Sequence, residues 1–276
     1  MRYGAKSDAI CALDMTTQRT RVLWQAPKRI FGLAANTDAS QFTFSMDSNP
    51  EPSRAQLAKA KYRADLSKFD VYILTRRGNR LRNVTAGAKN LHCFQSKFVP
   101  NQNLLTFMGK TIKGKWQQSI YFIHPDGSQL SPSFERGAQA GLAWSLDGSR
   151  IAWVESFLQS DEIMAMETRN EKTELLTRDR FKDQSPSFSP DGKRIVFVSL
   201  RGGAHQVFVM DANGKNVRQL TRSASGNFGP RFSPDGRRIV FASNRGGARF
   251  LYTMNSDGSA QKQLASTRDG AYPIWK

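Results

Sequence analysis

The side chains best equipped for chemistry are cations set beside glycine. Arg201 and Arg245 each open an Arg-Gly-Gly-Ala run, at residues 201–204 and 245–248. A guanidinium presents forked donors that match a carboxylate or a phosphate. The paired glycines would let backbone N–H groups turn outward toward the same anion. Asn244 precedes the second run, His205 and Arg249 follow the two runs, and Lys110 and Lys113 belong to a further loop, 110–115. These seven residues are the candidate anion- or peptide-binding set. The alternative is a loop shape repeated by duplication, with no ligand.

Other chemistries find less support. His92, His124 and His205 fall at different places in the chain's internal pattern, so no shared metal site is expected of them. Cys11 and Cys93 are far apart and fit no metal spacing; both read as small buried or half-buried hydrophobes. There is no Gly-x-Ser-x-Gly elbow and no α/β-hydrolase domain, which excludes a complete peptidase. Gly109-Lys110-Thr111 ends like a phosphate loop, but Leu104 stands where the upstream glycine should be. No catalytic residue, metal or cofactor is expected.

The elements that must position these side chains come from a repeat. Phe188–Thr221 reads FSPDGKRIVFVSLRGGAHQVFVMDANGKNVRQLT, and Phe232–Ala265, 44 residues on, reads FSPDGRRIVFASNRGGARFLYTMNSDGSAQKQLA. Fainter copies start at Trp144, Phe98 and Ala35. Each copy predicts four short strands. The first ends at Phe188 or Phe232. Pro-Asp-Gly then makes a tight turn, in which proline fixes φ, aspartate caps and glycine accepts positive φ. The second strand is Ile195–Ser199, the third Gln206–Met210 and the fourth Val217–Leu220, with an Asn-Gly hairpin between the last two. The second and third strands are apolar on both faces, so both faces must be covered. A four-stranded blade sandwiched between two neighbours meets that demand; a lone blade does not.

The expected fold is therefore all-β: a single β-propeller domain over residues 1–276, of six four-stranded antiparallel blades. Five copies are complete. The sixth would be closed from both termini, with Ala9–Trp24 as its third and fourth strands and Ala271–Trp275 as its first. Its second strand is missing or reduced to Met1–Gly4, so this blade is the incomplete one. The loops between second and third strands should lie on one face, near the connections between blades. Residues 47–68, DSNPEPSRAQLAKAKYRADLSK, form an insertion in the equivalent loop of the Ala35 copy. Ser53 could cap a short helix over Arg54–Leu66, giving either a basic lid or a solvated surface helix.

The motif Phe/Trp-Ser-Pro-Asp-Gly-Lys/Arg-Lys/Arg-Ile-Val-Phe, followed by a glycine-rich loop and Val-Phe-Val-Met-Asp, resembles the TolB propeller repeat. The resemblance spans about residues 8–276 and is most specific in the last two copies. It also extends to the propellers of prolyl-oligopeptidase-like enzymes and of oligogalacturonate lyase-like proteins, so it implies architecture before activity. TolB proteins are periplasmic and bind a peptidoglycan-associated lipoprotein through the propeller. The resemblance thus implies a protein-binding role, while no counterpart of the small N-terminal α/β domain of TolB is expected within these 276 residues.

Charge narrows the partners. The formal net charge is +18, from 41 Lys+Arg against 23 Asp+Glu. That favours anionic partners, although no block of five or six like charges occurs. No apolar run is long enough to cross a membrane as a helix. The chain as written carries no signal segment and reads as cytoplasmic, or as periplasmic if such a segment lies upstream. The expected function is that of a non-catalytic, monomeric module that binds a protein or peptide through a basic channel mouth and blade-loop rim. The alternatives are binding of nucleic acid or acidic polysaccharide, and a lyase or hydrolase acting on an acidic sugar.

Overall fold

The computed structural model describes residues 8–17, 19–49, 68–75, 80–112, 118–134, 138–264 and 273. Every regular element among the described residues is a β-strand. The chain divides into two compact units. One comprises Met1–Cys11, Val22–Phe98 and Asn103–Arg136, and the other Ala12–Arg21, Val99–Gln102 and Gly137–Lys276.

The N-terminal unit holds two four-stranded sheets. The first is β3 (Ile30–Ala35), β4 (Gln41–Asp47), β5 (Phe69–Thr75) and β6 (Leu81–Asn83). The second is β7 (Leu91–Phe98), β8 (Leu105–Thr111), β9 (Gln118–Ile123) and β10 (Ser131–Phe134). The C-terminal unit holds three more. They are β11 (Ala138–Trp144) to β14 (Thr173–Leu175), through β12 (Arg150–Ser156) and β13 (Asp161–Glu167). Next come β15 (Asp183–Phe188), β16 (Arg194–Gly202), β17 (Ala204–Asp211) and β18 (Arg218–Gln219), then β19 (Asn227–Phe232), β20 (Arg238–Gly246), β21 (Ala248–Asn255) and β22 (Lys262–Gln263). Within each sheet the strands lie in chain order and pair antiparallel.

The sequence predicts six blades; among the described residues the structure has five. β1 (Ala9–Leu13) and β2 (Thr20–Gln25) pair as a two-stranded sheet only. They coincide with the predicted third and fourth strands of the divided blade. Met1–Gly4 and Ala271–Trp275, which that blade also needs, lie outside the described residues apart from Pro273. A repeat reports which segments are strands. Whether distant ends pair is a tertiary matter that the pattern does not encode. β1 also corrects the reading of the cysteines: Ile10 turns inward, and alternation leaves Cys11 exposed, while Cys93 is buried as expected.

Sandwiching explains the apolar runs. Between the last two sheets, Val196, Val207, Val209 and Leu220 meet Phe232, Ile239, Phe241 and Met254. Ala152, Ala165 and Leu176 likewise meet Ile195, Phe197 and Phe208 one seam earlier. In the N-terminal unit Val71, Ile73 and Val84 meet Cys93, Leu105 and Phe107. Facing rings recur across second and third strands: Phe44 opposite Tyr72, Phe107 opposite Tyr121, Phe197 opposite Phe208 and Phe241 opposite Tyr252. All four pairs are stacked, at centroid distances of 5.5–6.2 Å.

The turns behave as their residues predict. Ser189 Oγ donates to Asp191 Oδ1 and accepts from the Arg194 N–H, while Asp191 Oδ1 also accepts from the Lys193 N–H. The same bonds recur around Ser145–Asp147 and Ser233–Asp235. Bonds from these serines lead the causes that hold all three aspartates below the ordinary carboxylate value. These carboxylates are spent on turn geometry.

One device was not anticipated. Each first strand carries a bulge three residues before its end, with positive φ at Gly32, Gln95, Gly141, Ser185 and Gly229. It breaks the pairing between Gln184 and Ser187 and between Phe228 and Arg231, for example. The bulge re-aims the start of every first strand, the part that enters the candidate site.

Candidate functional site

Second strands end, third strands begin and successive blades connect at one edge of each sheet, here called the connection edge. Backbone bonds tie its parts together: Leu200 N–H donates to Lys182 O, Asn244 N–H to Gly226 O and Ile112 N–H to Asn90 O. The inserted segment leaves and re-enters at this edge as predicted, for Ser48 N–H bonds Lys68 O and Asp47 pairs with Phe69. The helix expected over Arg54–Leu66 lies outside the described residues, as does Lys113.

Arg201 and Arg245 are built into this edge rather than standing free of it. The Arg-Gly-Gly-Ala run is a tight bulged hairpin in which Gly202 pairs with Ala204 and the Gly203 N–H donates back to Leu200 O. That inward bond corrects the expectation that this N–H faces outward. Arg201 Nη2 donates to Asp183 Oδ2 at 2.6 Å and pairs with Asp179 Oδ2 at 2.7 Å, and its Nε donates to Ser199 Oγ at 3.0 Å. The guanidinium lies over the rings of Phe197 and Phe208. Arg245 repeats the posture over Phe241 and Tyr252, bonding Asn227 Oδ1, Ser243 Oγ and Gln261 Oε1.

A threonine clasp underlies both arginines. Thr177 Oγ1 donates to Glu162 and accepts from Ile163 N–H; Thr221 Oγ1 does the same with Gln206 and Val207, and Thr85 with Asp70 and Val71. Each clasp abuts the first strand of the next blade, where Asn227 donates to Gln206 Oε1 and Asp183 receives Arg201. Glu162, Asp179 and Asp183 thereby gather with one oxygen each within 4.8 Å of one another. Arg201 already supplies positive charge to two of them. Burial pushes Asp183 up from 3.8 to about 6, against the lowering effects of Ser199 and Arg201.

The remaining predicted residues lie as follows. His205 packs on the ring of Phe228 at 5.3 Å, and Arg249 lies over that ring at 4.7 Å. Phe228 therefore joins two residues of the predicted set, although it falls outside the repeated motif. Burial, then Lys182, lowers the pKa of His205. Asn244 is exposed beside them. Lys110 belongs to the N-terminal unit, on β8 opposite His92. His92 packs near Phe69, and burial followed by Lys110 and Lys68 lowers its pKa.

Sequence reasoning also missed the connection Thr177–Asp183. Asp179 accepts from Phe181 N–H and pairs with Arg201, while Arg178, Arg180 and Lys182 are exposed. Arg222 is exposed on the next connection. The alternation Arg-Asp-Arg-Phe-Lys-Asp was visible, but not which partner would claim the acids.

The fold has known counterparts. A TolB structure from Agrobacterium tumefaciens aligns with a TM-score of 0.77 at 22% identity, covering 95% of this chain and 91% of that one. TolB from Acinetobacter baumannii aligns at 0.74 and 19% identity, covering 94% of this chain and 60% of that one. Oligogalacturonate lyase from Vibrio parahaemolyticus aligns at 0.55 and 13% identity, covering 93% and 72%. At these identities the likeness is one of fold: an all-β propeller with four-stranded antiparallel blades. No curated protein matches the sequence. The profile of the TolB beta propeller domain matches residues 136–274, half of the chain, and the protein belongs to that family.

Proposed function

We propose that the chain is a non-catalytic TolB-like propeller that holds a protein partner at the connection edge. One observation carries this reading: in the C-terminal unit three acids of the edge are held by partners within the chain while the cations stand exposed. Asp179, Asp183 and Glu162 are taken by Arg201 and Thr177. Arg178, Arg180, Lys182, Arg222 and Arg249 are exposed, and none reaches a carboxylate among the described residues. Such an edge attracts an anionic surface and fixes its register. In this reading His205, Asn244 and Arg249 contact the partner, with Arg201 and Arg245 as their supports. Lys110 and Lys113 extend the reading to the N-terminal unit. The domain is residues 1–276, acting as a monomer.

The enzyme alternative needs histidines and carboxylates that converge on a reacting atom. The rings of His92 and His205 instead pack near Phe69 and Phe228. The polyanion alternative rests on the net charge of +18. A peptide array probed with the labelled protein tests the reading, followed by mass spectrometry of bound peptides and of oligogalacturonate incubated with the protein. Saturable binding to defined peptides with every mass unchanged is expected. Cleavage of either substrate, or binding to no peptide, overturns it.

A further inference from the structure

The exposed cations do not end the connection edge of the C-terminal unit. Phe157 and Leu158 lie in the turn between β12 and β13, closed by Phe157 N–H to Ser160 O. They are 48% and 106% exposed. This turn leads directly into Asp161, which bridges to Lys182, and Gln184 Nε2 donates to Asp161 Oδ2. Two uncovered apolar side chains therefore border the cationic stretch on a continuous bonded edge. Asp161 is held by Ser156 and Gln184, so it marks the boundary between them.

Resting on the binding role just given, we infer that the occupant is a protein segment that carries acidic and large apolar residues together. Lys182, Arg180, Arg222 and Arg249 would meet its carboxylates, and Phe157 with Leu158 would bury against its apolar side chains. Charge alone would suit a nucleic acid or an acidic polysaccharide equally well. Two features decide for protein. A polysaccharide brings no large apolar side chains to cover Leu158. A single-stranded nucleic acid needs several open aromatic faces on which successive bases stack, whereas Phe157 is the one exposed phenylalanine among the described residues of this edge and Phe228 is flanked by His205 and Arg249.

Fluorescence anisotropy provides the test. The probes are a peptide alternating Asp or Glu with Leu or Phe, an all-Glu peptide, a peptide with the acids changed to Gln, oligo-dT and heparin. The mixed acidic–apolar peptide should bind most tightly. The double variant F157S/L158S should weaken it about tenfold or more, as expected from losing two apolar contacts, and leave heparin binding unchanged. Charge reversal in R180E/K182E/R249E should abolish binding of both. These side chains are exposed, and urea denaturation checks that each variant keeps its fold. An unchanged affinity in F157S/L158S, equal binding of the Gln peptide, or tighter binding of oligo-dT overturns the inference. If array peptides bind with affinities that none of these variants alters, the binding role stands and this assignment falls. If no peptide binds at all, both fall.

Discussion

Asp183 and Asn227 occupy the same place in successive repeats, five residues before Phe188 and Phe232. Each receives the arginine of its own blade, at 2.6 Å and 3.0 Å. Only one of the two titrates. Burial raises Asp183 to about 6, so the folded chain binds this proton more tightly than an unfolded chain with the ordinary value of 3.8. The associated stability is therefore complete below 3.8 and is lost as pH rises through about 6. Asp183→Asn imitates the next repeat and removes the proton. Urea midpoints taken across this window should fall with rising pH in the parent relative to D183N. Parallel curves would refute the assignment. Arg201 keeps Asp179 in the variant, so the clasp should survive it.

At the level of elements, tight turns add contacts between blades to the apolar seams. Gly214, in the hairpin between β17 and β18, has φ +82, and a Cβ there would stand 2.4 Å from Leu176 O in the preceding blade. Gly203 has φ +85 but nothing within 4 Å of such an atom. Gly203→Ala should cost about 1 kcal/mol, from backbone strain alone. Gly214→Ala adds a clash with backbone and should cost at least about 1 kcal/mol more. Equal urea midpoints for the two variants would show that the blade contact at Gly214 is unimportant. The sequence made these turns legible, because Asn-Gly and Pro-Asp-Gly act through local geometry. It also placed the strand pattern and the insertion point. It did not show the bulges, since glutamine and serine occupy two of the five and announce nothing. At the site, Arg201 and Arg245 were visible as cations, but their commitment to Asp183 and Asn227 depends on residues 18 positions away. Phe228 lay hidden for a similar reason: its partners, His205 and Arg249, come from two different blades.

For the whole molecule, a net charge of +18 coexists with few ion pairs among the described residues, because arginines bond carbonyls instead. Arg150 reaches Ala212 O, Arg218 reaches Asp257 O and Arg82 reaches Pro125 O, each on the following blade. Such bonds join blades without neutralising charge. On the proposed role the surplus is left for a partner, and the connection edge of the C-terminal unit is where cations stand beside uncovered apolar groups. Hydrogen–deuterium exchange with and without the mixed acidic–apolar peptide tests that claim most directly. New protection is expected at residues 157–160, 178–182 and the Gly246–Arg249 hairpin, with the Pro-Asp-Gly turns at 190–192 and 234–236 unchanged. Protection concentrated at those turns, with none at the connection edge, would contradict it.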